Sequence, residues 1–139
     1  MGRVINTDSP GKRRNNLMRT SAELLRRLST KSEIDADSKD MLAFLVYCLR
    51  EIDSTIDESA RAWEKRDYWM KSEEFRERWK WSKDLSEELG SIVTEADWQN
   101  VPPIMAKLFS NFSDIKINKL TRKPSLWDGC YDRFLSDNT

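Results

Sequence analysis

Apolar residues recur along this chain at helical spacing, most densely over residues 41–49, an unbroken apolar run of nine. At about 100° per residue, Met41, Leu42, Leu45, Leu49, Ile52, Ile56, Ala60 and Trp63 share one stripe of a helix. Phe44 and Tyr47 fall on the other side. The first half of a helix over residues 35–67 is therefore apolar nearly all round, the pattern of a central, surrounded element. Its second half is amphipathic and suits a surface. Asp35 is positioned to cap it, with Asp37 and Asp40 favoured by the positive end of the helix dipole.

The neighbouring elements follow from the same periodicity. A first helix is predicted from near Pro10, capped by Ser9, with proline tolerated in the first turn. Leu17, Met18, Ser21, Leu24, Leu25 and Leu28 form its stripe, and Arg19, Glu23 and Arg26 lie opposite. No Gly or Pro occurs from residue 36 to residue 89. One helix over that stretch would be about 80 Å long, more than the flanking segments can cover. A break between Asp67 and Ser72 is predicted, with Ser72-Glu73-Glu74 as the restart; a continuous helix with a drifting stripe is the alternative. The third helix buries Tyr68 or the stem of Lys71, then Phe75, Ser82, Leu85, Leu89, Ile92 and Val93. Gly90 interrupts it and is the candidate for its end. Asp97 or Asn100 caps a fourth helix with Pro102 and Pro103 in its first turn and Ile104, Leu108, Phe109 and Phe112 inward. Residues 115–120 alternate apolar and polar without a partner strand, which predicts an extended segment. A short last helix over 125–135 presents Leu126, Trp127, Cys130, Tyr131 and Phe134. The expected fold is all-α: a single-domain bundle of about five helices (residues 15–139) around a central apolar helix, with an extended basic N-terminal arm (residues 1–14).

Charge changes this picture more than composition does. The chain of 139 residues has 24 Lys/Arg against 24 Asp/Glu, so its formal net charge is zero. The distribution is uneven: residues 1–31 carry +6, residues 32–100 carry −8, and the remainder carries +2. Such asymmetry hints at a partner rather than at a fold. The apolar run of nine is far short of the about 20 residues a membrane span needs, so no membrane partner is expected. The start of the chain has no apolar leader. Cys48 and Cys130 lie far apart without a C-x-x-C spacing, and Cys48 reads as a small hydrophobe in the apolar run. A reduced, cytoplasmic protein is the expectation.

The absence of histidine removes the commonest general base and metal ligand, the Ser-His-Asp and Cys-His nucleophiles, and Glu-x-x-His di-iron pairs. Gly11-Lys12 does not begin a phosphate loop, because Asn6 and Arg13 stand where Gly and Ser or Thr are required. Asp53, Asp57 and Glu64 line one edge of the central helix and are the weak candidates for a Mg²⁺ site. Such a site needs a facing Glu-x-x-Glu row. Glu74 and Glu77 have that spacing but are expected to point away, with Asp57 paired locally to Arg61. No cofactor is expected.

Two positive signals remain. Arg3, Lys12, Arg13 and Arg14 form a basic leader that continues along the first helix as Arg19 and Arg26. Lys116, Lys119, Arg122 and Lys123 make a second basic cluster. Arginines and lysines reaching phosphates give sequence-independent, salt-sensitive binding. Trp63 and Trp79 read as core residues, whereas Trp69 and Trp81 fall off the stripe and suggest a protein-interaction patch. The leading expectation is a non-enzymatic binding protein whose basic arm docks onto nucleic acid or a ribonucleoprotein. The alternative is a protein–protein adaptor or homodimer using Trp69 and Trp81. A Mg²⁺-dependent nucleotide hydrolase ranks third.

Overall fold

The computed structural model describes residues 8–138, and all that follows concerns those residues. Five α-helices follow in order: α1 (Pro10–Ser29), α2 (Ala36–Glu64), α3 (Trp69–Thr94), α4 (Val101–Phe112) and α5 (Cys130–Asp137), with no strand among the described residues. The all-α, single-domain expectation holds. The extended segment over 115–120 is likewise free of strand pairing.

Local signals set the boundaries. Ser9 accepts the Lys12 backbone N–H at 3.1 Å, and Pro10 fills the first helical position, where a missing N–H costs nothing. Residues 10–14, assigned to an extended arm on composition, are therefore the first turns of α1; Arg3 and the rest of residues 1–7 lie outside the described residues. Asp35 caps α2 by accepting the Ser38 N–H at 2.8 Å. The break between α2 and α3 is real and tighter than expected. Asp67 takes a left-handed φ of 62°, and the Tyr68 N–H returns to the Trp63 carbonyl at 3.0 Å, satisfying a carbonyl that the helix end leaves open. Helix α3 consequently resumes at Trp69 rather than Ser72, so Tyr68 and Lys71 sit at the exposed turn and are not buried.

Helix α3 also runs through Gly90 to Thr94, past the end the glycine suggested. Its closure repeats the first turn: Ala96 has φ 54° and the Asp97 N–H bonds the Ile92 carbonyl at 2.9 Å. A single 3₁₀ turn, Trp98–Asn100, then leads into α4. Helix α4 buries Val101, Ile104, Met105, Leu108 and Phe112, while Phe109 lies at the edge, 41% exposed.

Helix α2 packs against α1, α3 and α5. Met41, Leu42, Leu45, Leu49 and Ile52 are fully buried, joined by Leu24, Leu25, Leu89, Ile104, Leu108 and Phe134 in one cluster. Truncating any of these leucines to alanine removes a fully packed side chain, a change that costs about 2–5 kcal/mol. Cys48 is buried in the same cluster, and burial pushes its thiol up to about 12. It is inert, as its apolar setting implied. Helix α5 is held to the start of α2 by polar contacts: the Trp127 indole donates to Asp37 at 3.0 Å, and Asp40 accepts the Tyr131 N–H at 2.9 Å.

Candidate functional site

Two of the three leading cations of α1, Arg13 and Arg14, are drawn onto the body of the fold. Lys12 pairs with Asp8 at 3.4 Å, and Arg13 forms a two-pronged ion pair with Glu58 of α2. Arg14 is buried. Its guanidinium donates to Thr55 at 3.4 Å and Ser59 at 2.7 Å, and lies 4.9 Å from the centre of the Phe75 ring and 5.5 Å from that of Trp79. Desolvation lowers its affinity for the proton, with the Arg13 charge adding to the effect. Arg13 and Arg14 therefore do not reach into solvent as an arm would, whereas Lys12 stays exposed beside Asp8.

The rest of the basic signal converges elsewhere. Residues 113–123 cross the outer face of α1 as an extended strap. Three arginines of α1, Arg19 and, about two turns on, the adjacent Arg26 and Arg27, hold it by its main chain. Arg19 donates to the Lys119 carbonyl at 3.1 Å, Arg26 to the Ile117 carbonyl, and Arg27 to the Arg122 carbonyl at 2.9 Å. Beneath them, the Glu23 carboxylate accepts the N–H groups of Thr121 at 2.6 Å and Arg122 at 2.9 Å, and the Thr121 hydroxyl at 2.7 Å. Arg19 and Arg122 pair with it at 3.2 and 3.4 Å. Glu23, expected on the solvent face of α1, is fully buried under the strap. Burial pushes its carboxyl up, but the two backbone N–H groups, the hydroxyl and Arg19 outweigh this and bring it down to about 2. Arg122 also donates to Thr20 at 3.0 Å and to the Asn16 side chain at 2.6 Å.

The consequence is electrostatic. A carbonyl accepts a hydrogen bond without cancelling the charge of the arginine that donates it. Residues 19–27 and 113–123 hold seven Lys/Arg (Arg19, Arg26, Arg27, Lys116, Lys119, Arg122, Lys123) against Glu23 and Asp114. Lys116, Lys119 and Lys123 are exposed, and no described carboxylate pairs with any of them. The two basic clusters, nearly a hundred residues apart in sequence, thus become one cationic face.

The acidic row is arranged differently. Asp53 and Asp57 open onto a groove of ≈ 950 Å³ between α2 and α3 that is also lined by Glu73, Glu74 and Glu77. Glu74 and Glu77, expected to point away, do reach its rim. Arg76, Lys80 and Lys83 occupy the same groove. The Arg76 guanidinium bonds Asp57 at 2.9 Å and Glu64 at 3.3 Å, taking the place a cation would need, and Arg61 pairs with Asp57 at 3.0 Å as its spacing implied. Asp53 is half-buried; burial raises its pKa, and Asp57 and Glu87 add to this while Lys83 opposes it. Among the described residues no group of three or more His, Cys, Asp or Glu is arranged to hold a metal ion.

The two off-stripe tryptophans part company. Trp81 stacks on Trp79 at 5.7 Å and meets Phe112 edge-on at 5.4 Å, so α4 takes up its indole. Trp69 stays 59% exposed at the turn between α2 and α3.

No family model, curated protein or solved structure matches the chain.

Proposed function

We propose that this protein is a non-enzymatic binding protein that takes up the phosphate backbone of a nucleic acid, alone or in a ribonucleoprotein, on the face formed by α1 and the strap. The observation that carries this reading is the use of main-chain carbonyls, not carboxylates, to anchor Arg26 and Arg27, beside the exposed Lys116, Lys119 and Lys123. Their charges stay available to a polyanion on an ordered surface, which lowers the entropy lost on binding compared with a free arm. The contacts available are of the kind that position a backbone without reading its sequence. Placing the interface here moves the docking role from Lys12, Arg13 and Arg14, whose partners lie within the chain.

The test is a salt titration of binding to a labelled duplex by fluorescence anisotropy. Four phosphate contacts, from Arg26, Lys116, Lys119 and Lys123, give a log–log salt slope of about −3.6 on duplex DNA. Removing three of them in Lys116→Ala/Lys119→Ala/Lys123→Ala brings the slope to about −0.9. No binding at low salt, or an unchanged slope in the triple variant, refutes the reading. An adaptor or homodimer using Trp69 and Trp81 together is less well supported, because Trp81 is committed to Trp79 and Phe112.

A further inference from the structure

The cationic face is not purely polar. At its edge, α1, the end of α4 and the start of the strap enclose a hollow of ≈ 290 Å³. It is lined by Phe109 and Phe112 of α4, Ile115 and Ile117 of the strap, and Leu25 and Arg26 of α1. Phe109 is 41% exposed there, and Leu120, beside Lys119 further along the strap, is 38% exposed. Arg26 both lines the hollow and donates to the Ile117 carbonyl, so its charge stands at the edge without a carboxylate partner. Lys116, between the two lining isoleucines in sequence, is exposed and equally unpaired. The three elements around the hollow hold two carboxylates. Glu23 is taken up by the strap, and Asp114 stands against Arg26 and Lys116, with Lys119 and Lys123 further on. Helix α4 has no acid of its own, and its Lys107 is held by Glu88 of α3 at 3.1 Å.

We propose that the nucleic acid taken up on this face is single-stranded, with one unpaired base entering the hollow against the Phe109 ring while the flanking phosphates meet Arg26 and Lys116. The inference rests on the reading of the cationic face given above and names the form of nucleic acid that suits it. A duplex keeps its bases stacked inside and offers this surface only phosphates, which have no use for an apolar hollow or an open aromatic ring. A single strand offers both, and the surfaces that hold one pair a cationic track with aromatic side chains on which bases stack. Every base has a π-face, so such stacking reads no sequence, in keeping with cations that meet only the backbone. The hollow lies at the lower end of the about 300–1,000 Å³ of small-ligand pockets, which suits one flat ring rather than a run of them. Phe109 also borders a second hollow, of ≈ 490 Å³, but the charges there differ. Its Lys31 is held by Asp35 and Asp37, each at 3.1 Å, and Glu33 stands beside it, so a phosphate gains nothing on that side.

Fluorescence anisotropy of the full chain with three labelled probes at one salt concentration tests this: a short oligothymidylate, an abasic strand of the same length, and a duplex. The oligothymidylate is expected to bind more tightly than the abasic strand. Phe109→Ala weakens binding of the oligothymidylate about fivefold or more, and Phe109→Tyr, which keeps the ring, retains it. Both variants hold the abasic strand and the duplex within about twofold of wild type, which shows that the cationic face is intact. Oligothymidylate bound no more tightly than the abasic strand, or bound equally well by Phe109→Ala, overturns the proposal and leaves duplex binding by the face standing. Wild-type binding of all three probes by Lys116→Ala/Lys119→Ala/Lys123→Ala removes the face itself, and the proposal with it. Self-association abolished by Phe109→Ala, with oligothymidylate binding unchanged, also overturns it, in favour of a second copy of the chain.

Discussion

At the scale of single residues, Glu23 and Arg14 depart most from what their charges imply. Glu23 lies opposite the apolar stripe of α1, and only the strap, arriving from residues 113–123, turns that face into an interior. Arg14 reads as the end of a basic leader, yet Phe75 and Trp79, some sixty residues away, receive its guanidinium. The burial of Glu23 is not visible in α1 itself, because helical periodicity reports the face that meets the core and not a later segment that covers the other face. Arg14 lies three, four and seven residues before Leu17, Met18 and Ser21, on the apolar stripe, and only its charge and its neighbours in the leader argued against burial. Glu23 also carries a pH signature. Its pKa falls from 4.5 to about 2 on folding, so the charged form is the one the fold prefers. Its contribution is fully present above the unfolded value and is lost as pH falls from about 4.5 through about 2. Glu23→Gln, which keeps the shape but weakens every bond to the strap, costs about 2–4 kcal/mol at neutral pH. Urea unfolding at a series of pH values checks both points: the gap between wild type and Glu23→Gln narrows below pH about 4.5. A gap independent of pH would show that the carboxylate charge contributes nothing.

Elements were more legible than residues. The caps Ser9 and Asp35, the absence of Gly and Pro over residues 36–89, and the excessive length of a single rod were enough to find α1, α2 and the hairpin. What misled was glycine. Gly90 carries the usual mark of a helix end but lies inside α3, where an added Cβ would sit 3.6 Å from Arg50, 3.7 Å from Val46 and 3.8 Å from Phe134. Those are ordinary contact distances, so the site has room for a methyl group. The left-handed residue that does close α3 is Ala96, at φ 54°, a conformation that strains a residue with a Cβ. The signal and the need are thus six residues apart. Exchanging them is predicted to stabilise the protein at both positions. Gly90→Ala gains about 0.5–1 kcal/mol by removing backbone freedom from the unfolded chain, and Ala96→Gly gains about 1 kcal/mol by relieving the turn. The sites share no partner, so the double variant should add the two effects. Chemical denaturation of the three variants measures this; a destabilised Gly90→Ala would mean that Arg50, Val46 and Phe134 do not yield even at those distances.

Across the whole molecule, a net charge of zero gives no general attraction for a polyanion, so any such binding must come from where the charges sit. The fold separates them. Carboxylates of α2 and α3 gather around Arg76 in the hairpin groove, while the cations of α1 and the strap share their face with Glu23 and Asp114. Sequence hinted at the asymmetry but located it in the leader, because adjacency along the chain stood in for adjacency in space. Two variants with the same net charge discriminate between a local face and bulk electrostatics. Lys116→Ala/Lys119→Ala/Lys123→Ala removes three charges from the strap. Arg78→Ala/Lys80→Ala/Lys83→Ala removes three exposed charges from α3, where Lys80 and Lys83 line the acidic groove. Beyond a Debye length of about 10 Å at 0.1 M salt, exposed charges are largely screened, so the α3 set should barely affect phosphates bound at the strap. The strap variant is expected to lose nearly all duplex binding at 0.1 M salt, and the α3 variant to stay within about threefold of wild type. Equal losses in the two would mean that the chain meets nucleic acid through its overall charge, and the ordered cationic face would have no special role. The α3 variant serves a second purpose, since it thins the cations beside Asp53 and Asp57. Binding that stays near wild type while folding stability falls assigns the lost stability to repulsion within the acidic groove and leaves the strap as the surface that meets phosphate.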